Sequence, residues 1–261
     1  MASYTFAIVN AFGDRWGAGN PAGVVCGCHG LPDDRLQAIA AELRLESAFV
    51  VATAPRPSLR YFAPDGEIAL CGHATLATAC ALNLGDRSSV GTPAGPVGLR
   101  RAGDEYGLAL PPMPAPAPLL DARPLMAAAG IAALCAEARI LRTPTPMALL
   151  RLNDGGTVDG LRPDRFALEE ACRKAGVAAM VVFAQDGAHI RQRVFAPAIG
   201  LPEDYATGSA SSALAQALGH DLRIEQGDGG GRPSRLRVEV TAEGTTVWGR
   251  AVVVARGRLC L

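Results

Sequence analysis

The sequence predicts an α+β protein made of two similar domains in pseudo-symmetry. Three observations carry this: a phrase that recurs in both halves, a matched succession of helix and hairpin signals around each copy, and a proline-rich tract between them. A chain of 261 residues accommodates one large domain or two small ones, and buries roughly 70–75% of its unfolded surface without metal or disulfide staples.

Each element follows in order. Leu59-Arg60-Tyr61-Phe62-Ala63-Pro64 returns as Gln192-Arg193-Val194-Phe195-Ala196-Pro197. After each copy come an acidic loop and a small-residue turn, Cys71-Gly72-His73-Ala74 and Thr207-Gly208-Ser209-Ala210. Ala77, Ala81 and Leu82 match Ala213, Ala217 and Leu218 at equal offsets from the turn, which predicts a helix with a small apolar face from each. Upstream, Pro32-Asp33-Asp34-Arg35-Leu36 and Arg162-Pro163-Asp164-Arg165-Phe166 open further helices, with proline and aspartate at their starts. Hairpins follow, Phe49-Val50-Val51 turning at Pro55-Arg56-Pro57 and Met180 to Phe183 turning at Asp186-Gly187. Downstream, Val97 to Arg100 turns through Ala102-Gly103-Asp104 into Tyr106 to Leu110, and the alternating Leu236, Val238 and Val240 turn at Glu243-Gly244. Each half reads helix, hairpin, helix, hairpin. The prolines between Pro111 and Pro118 interrupt regular structure, placing the expected domains at 1–112 and 119–261.

Composition narrows the function. With 49% hydrophobic and 19% charged residues the chain is too apolar for disorder. Lys plus Arg equals Asp plus Glu at 25 each, with no basic block, so no nucleic-acid partner is expected. The 30 glycines and 19 prolines, without a collagen period, point to many tight turns. The seven cysteines, Cys26, Cys28, Cys71, Cys80, Cys135, Cys172 and Cys260, include no C-x-x-C, and signal neither a metal site nor a disulfide framework. The opening MASYTFAIVNAFGD lacks a basic region and a long apolar stretch, and no apolar run reaches membrane length, so a soluble cytoplasmic protein with no membrane partner is expected.

The two turns at Gly72 and Gly208 offer unpaired helix N–H groups, which suit a carboxylate; their other reading is close helix–sheet packing. Polar residues present in one half and absent from the other fall outside the shared scaffold. Glu46, in Leu43-Arg44-Leu45-Glu46-Ser47-Ala48-Phe49, has no acidic counterpart in Ala175-Gly176-Val177-Ala178. It reads either as a general base, its charge disfavoured by apolar surroundings, or as a surface glutamate at a helix-to-strand junction. His73, in the first turn of its helix, reads as a structural cap or a neutral proton donor and acceptor. Asp204 reads as a substrate contact or part of a solvated acidic loop, and Glu203 fits the solvated loop. Cys71, at a helix start, would be a nucleophile only with a matching acid opposite, where Thr207 stands; it reads as a small packing residue.

Gly19-Asn20-Pro21-Ala22-Gly23-Val24-Val25, Glu46-Ser47-Ala48-Phe49-Val50, Arg60-Tyr61-Phe62-Ala63-Pro64-Asp65-Gly66-Glu67 leading to Leu70-Cys71-Gly72-His73-Ala74-Thr75, Glu203-Asp204-Tyr205-Ala206-Thr207-Gly208-Ser209-Ala210 and Val247-Trp248-Gly249-Arg250 together resemble the PhzF-like phenazine-biosynthesis family. The resemblance implies a diaminopimelate epimerase-like fold, each domain a β-sheet wrapped around a central helix, in a homodimer. It also implies a cofactor-free isomerase of trans-2,3-dihydro-3-hydroxyanthranilate or a similar carboxylated ring. By the same resemblance Glu46 moves the proton, His73, Asp204 and Ser209 hold the substrate and guide the shift, and N–H groups at Gly72 and Gly208 bind its carboxylate. Asn20, Cys71, Tyr205 and Thr207 are the further expected substrate contacts. Two positions depart from the family: Leu45-Glu46-Ser47 where Ser-Glu-Thr is common, and Tyr205 where proline is common. Two alternatives stand beside this reading: an amino-acid epimerase or hydroxyproline-type dehydratase working through Cys71 and Thr207, and a small-molecule binding protein without turnover.

Overall fold

The computed structural model describes residues 3–119, 121–132 and 134–260. The chain divides into two compact units, Met1–Leu110 with Thr246–Leu261, and Pro111–Thr245.

In the first unit β1 (Ser3–Ala11) and β2 (Asn20–Cys26) lead through α1 (Asp33–Leu43) to β3 (Ser47–Ala52), β4 (Ser58–Ala63) and β5 (Gly66–Ile68). Then come α2 (Gly72–Ala81), β6 (Ser89–Thr92), β7 (Gly95–Ala102) and β8 (Glu105–Leu110). Asp33 and Asp34 in the first turn of α1 complement its dipole, and Arg44 closes it in the left-handed region (φ 53°). Leu36, Ile39 and Ala40 on its inner face pack with Val25, Cys28, Phe49 and Phe62. α2 has no polar stripe: Ala74, Leu76, Ala77 and Ala79 are buried, as are Thr75 and Thr78. The two threonine hydroxyls donate back to Cys71 O (2.7 Å) and Ala74 O (2.8 Å), so the helix is polar-satisfied on every side and serves as the centre that β1, β2, β3 and β8 surround.

The second unit holds β9 (Ala117–Pro118), α3 (Arg123–Ala128), β10 (Cys135–Leu141), β11 (Met147–Leu152), α4 (Gly155–Gly160), α5 (Arg165–Ala175), β12 (Ala179–Asp186) and β13 (His189–Ala196). These are followed by β14 (Leu201–Asp204), α6 (Gly208–Leu218), β15 (Leu222–Gln226) and β16 (Ser234–Thr241), and β17 (Gly244–Cys260) carries the chain out of the unit. Asp164 caps α5 by accepting from the N–H groups of Phe166 and Ala167, and Gly176 ends it in the left-handed region. α6 repeats the composition of α2, with Ala210, Ser211, Ser212, Ala213, Leu214 and Ala215 all buried.

The sheet registers establish the duplication. In the first unit β2 runs parallel to β3, β3 antiparallel to β4, β4 parallel to β6 and β6 antiparallel to β7. In the second β11 runs parallel to β12, β12 antiparallel to β13, β13 parallel to β15 and β15 antiparallel to β16. Parallel neighbours need a crossover, and α2 and α6 supply the second crossover of each unit. The helices and hairpins expected from the sequence all form.

Residues 246–261 differ from the expected C-terminal domain of 119–261. They belong to the first unit, because β17 lies antiparallel along β1 from Ser3↔Cys260 to Ala11↔Ala251 and covers that strand's open edge. Gly107 is required beside it: a Cβ there would lie 2.9 Å from side-chain atoms of both Thr246 and Trp248. The expected proline linker falls in the second unit, where Ala117–Pro118 pairs with β10. Among the described residues no helix is long and apolar enough to cross a membrane.

Candidate active site

In the first unit the residues leading into β3 and α2 converge. Glu46 follows the left-handed turn that ends α1, and its carbonyl accepts the N–H of Gly23 (3.1 Å). A Cβ at Gly23 would collide with the Ser47 side chain, so a larger residue there forces Ser47 to shift. Glu46 Oε2 lies 3.5 Å from Nε2 of His73, whose side chain is only 7% exposed. Burial, with Asp65 adding repulsion, raises the Glu46 carboxyl above the ordinary glutamate value. A carboxyl shifted in this direction holds a proton more readily than an ordinary glutamate, as a general base requires.

Cys71 is the residue before α2 and does not cap it with its side chain. Its Sγ faces the imidazole instead, 3.4 Å from Nδ1 and 3.9 Å from Nε2 of His73. Behind it the Tyr61 hydroxyl meets Thr75 Oγ1 at 2.6 Å, and burial raises that phenol, so Tyr61 is a neutral prop for the turn. Asn20 opens β2 opposite Ala11 and is buried.

In the second unit, α6 starts at Gly208 with Thr207 as its unliganded cap residue. The Thr207 hydroxyl donates to Asp204 Oδ2 (2.5 Å), tying the acid to the turn. A fully buried glutamine pair fixes both: Gln226 accepts the Thr207 N–H (3.0 Å) and donates to Asp204 O (2.6 Å) and Thr207 Oγ1 (3.0 Å). Gln192 donates to Gln226 Oε1 (2.6 Å) and Ser211 Oγ (3.0 Å). Ser209, half-buried in the first turn, has no hydroxyl partner among the described residues. Tyr205 lies against the glycine-rich 227–231 turn, where a Cβ on Gly230 would strike its ring at 2.6 Å.

The repeated arginine holds the acidic loop ahead of each glycine turn. Arg60 grips Glu67 with two bonds of 2.7 Å and lies over Phe62, while Arg193 grips Glu203 at 2.7 and 2.8 Å and lies over Phe195. Glu203 therefore differs from the solvated loop acid expected from sequence: it partners an arginine only 4% exposed, which also donates to Leu161 O (2.6 Å).

The structure thus gathers Glu46, Cys71, Gly72 and His73 in one unit, and Asp204, Tyr205, Thr207, Gly208 and Ser209 in the other. Sequence reasoning missed the glutamine pair. One signal was present: Gln192 stands where the first half has Leu59, a polar residue at an apolar repeat position. Gln226 has no such marker. Gln226→Leu takes one bond each from the Thr207 N–H, the Asp204 carbonyl and the Gln192 amide, which keeps Ser211 as an acceptor, and an unmet bond at a buried group costs about 1–3 kcal/mol. Denaturant unfolding is expected to show a loss of at least that size, and stability equal to wild type would show that the network bears no load.

Comparison with known proteins identifies the family. The family model described as phenazine biosynthesis-like protein matches residues 9–257. An uncharacterized isomerase of Pseudomonas aeruginosa is 38% identical over 97% of both chains. The trans-2,3-dihydro-3-hydroxyanthranilate isomerase of the same organism is 31% identical over 99% of this chain and 100% of its own. Among solved structures, a phenazine biosynthesis protein of the PhzF family from Enterococcus faecalis superposes with a TM-score of 0.87 at 30% identity, covering 100% of both chains. A hydroxyproline epimerase from Agrobacterium vitis, at 13% identity and a TM-score of 0.57 over 98% of this chain and 92% of that one, shares the fold alone.

Proposed function

The chain belongs to the phenazine biosynthesis-like family of isomerases, and from that premise we propose that it moves a proton on a small carboxylated ring, resembling trans-2,3-dihydro-3-hydroxyanthranilate, without a cofactor. The observation that carries this reading is the pairing of a desolvated Glu46 carboxylate with the buried His73 imidazole at 3.5 Å. Glu46 takes the proton from carbon and returns it, and His73 hydrogen-bonds the shifting density. A carbon acid is weak, so the developing enolate-like charge needs preorganised donors, each worth about 3–4 kcal/mol when well aimed. The N–H groups at the Gly72 turn, beside Glu46 and His73, supply such donors for the carboxylate.

A second reading has its own observation, the Cys71 thiol 3.4 Å from His73 Nδ1. A thiol–imidazole contact is the arrangement that activates sulfur, and it suits an epimerase or dehydratase working through Cys71 and Thr207. The Thr207 hydroxyl spends its proton on Asp204, which supports the glutamate reading. Kinetics separates the two. Under the isomerase reading Glu46→Gln abolishes turnover while Cys71→Ser retains it; under the thiol reading Cys71→Ser is dead, and a thiol alkylator inactivates the wild type in step with labelling of Cys71.

A further inference from the structure

Glu46, Cys71 and His73 each present one metal-ligating atom, and these atoms lie within 4.8 Å of one another. No sequence motif announces the group, because Glu46 comes from the loop before β3 whereas Cys71 and His73 come from the start of α2. We propose that this trio is a binding site for a zinc-class divalent cation, and that occupancy switches the isomerase off by ligating its base. The regulatory half rests on the reading of Glu46 as the base; the metal site stands on the geometry alone.

The donor set selects the ion. A thiolate, an imidazole and a carboxylate suit Zn²⁺, whereas Mg²⁺ and Ca²⁺ require oxygen ligands. Tetrahedral Zn²⁺ with bonds of about 2.0–2.3 Å sets its ligands roughly 3.3–3.8 Å apart. Nε2 of His73 is already 3.5 Å from Glu46 Oε2 and 3.9 Å from Cys71 Sγ. The 3.9 Å His73–Cys71 pair and the widest separation in the group, at most 4.8 Å, have to contract, and Glu46, 31% exposed, is the least buried of the three.

Charge and chemistry also close. Zn²⁺ with one thiolate and one carboxylate is neutral, which a half-buried site tolerates. On binding, the Cys71 S–H bond breaks, its proton leaves to solvent, the sulfur lone pair forms the Zn–S bond, and no electron is transferred. Three protein ligands leave one coordination position open. With its carboxylate on the metal, Glu46 no longer reaches a carbon-bound proton. Elsewhere, burial pushes the thiols of Cys28 and Cys172 up to about 12 and about 11, so they compete poorly for metal.

The test uses the full chain with ZnCl₂ and CoCl₂. Competition with a chromogenic chelator is expected to give one ion per chain, and Co²⁺ a thiolate charge-transfer band with the strong visible bands of a four-coordinate ion. Cys71→Ser and Glu46→Gln each weaken binding at least about tenfold, the lower end of what losing even an outer-shell partner costs, and Cys260→Ser binds as wild type. In the wild type, which depends on no variant folding, Zn²⁺ protects Cys71 from iodoacetamide, read by peptide mass spectrometry. No uptake at stoichiometric metal, or uptake that leaves Cys71 fully alkylated, overturns the site. Zn²⁺ that binds with this ligand dependence but leaves solvent exchange into the substrate undiminished overturns the switch. Site-dependent uptake by a metal-free protein that catalyses no exchange retires the isomerase reading and the switch, and leaves the metal site standing.

Discussion

Glu46→Gln is expected to reduce deuterium uptake from solvent into trans-2,3-dihydro-3-hydroxyanthranilate by about 10²–10⁴-fold, the usual worth of a positioned general base. The substitution keeps the shape of the side chain while removing its capacity to hold a proton. Proton NMR in D₂O reads the result directly, and undiminished exchange refutes the assignment. The pH profile gives an independent readout. Because burial, with Asp65 nearby, holds the Glu46 carboxyl above the ordinary glutamate value, the wild-type rate falls as pH drops through that raised value, where the base becomes protonated. Stability runs the other way. The folded chain holds this proton more tightly than the unfolded chain, so this group's contribution worsens as pH rises from the ordinary glutamate value through the raised one. Glu46→Gln removes that penalty, and its melting temperature at neutral pH is expected to equal or exceed that of the wild type. A variant that is inactive yet at least as stable separates a catalytic loss from an unfolding one.

The largest stability effect is expected at Glu203. Removing it by Glu203→Ala strands Arg193, 4% exposed and gripped at 2.7 and 2.8 Å; breaking a buried pair from one side costs about 3–5 kcal/mol. For a chain of this size that lowers Tm by roughly 10 °C. The counterpart Glu67→Ala breaks a pair whose side chains are 27% and 37% exposed, and there the cost is about 1 kcal/mol or less. Paired thermal melts of the two variants measure the asymmetry directly, and equal shifts would mean that burial does not set the strength of these bridges. Because β14 ends at Asp204, next to Glu203, Glu203→Ala is also expected to loosen the 204–207 turn and raise KM.

Much of the fold was legible because duplication makes one half a control for the other. A phrase such as Arg-x-Phe-Ala-Pro, with matched small residues downstream, fixes both the helices and the hairpins around them, and the strand pairing directions of the two units agree. The same comparison singled out Glu46. Where each residue's partner came from distant sequence, the pattern was silent. The burial of Arg193, which turns Glu203 from a loop acid into half of a buried pair, depends on Asp159 and Leu161 carbonyls that no local pattern connects to it. Gln226 reaches the 204–207 turn from another strand, and nothing in its neighbours marks it.

By itself the sequence determined the two-fold repetition, the glycine turns that open α2 and α6, and the isolated acid at 46, since hydrophobic period, turn chemistry and repeat offsets are properties of neighbouring residues. Only the tertiary structure decided that the last strand closes the first unit along β1, that His73 and Cys71 face Glu46, and that buried glutamines hold Asp204 to Thr207. Hydrogen-bond partners and desolvation are set by distance in space, which chain order does not encode.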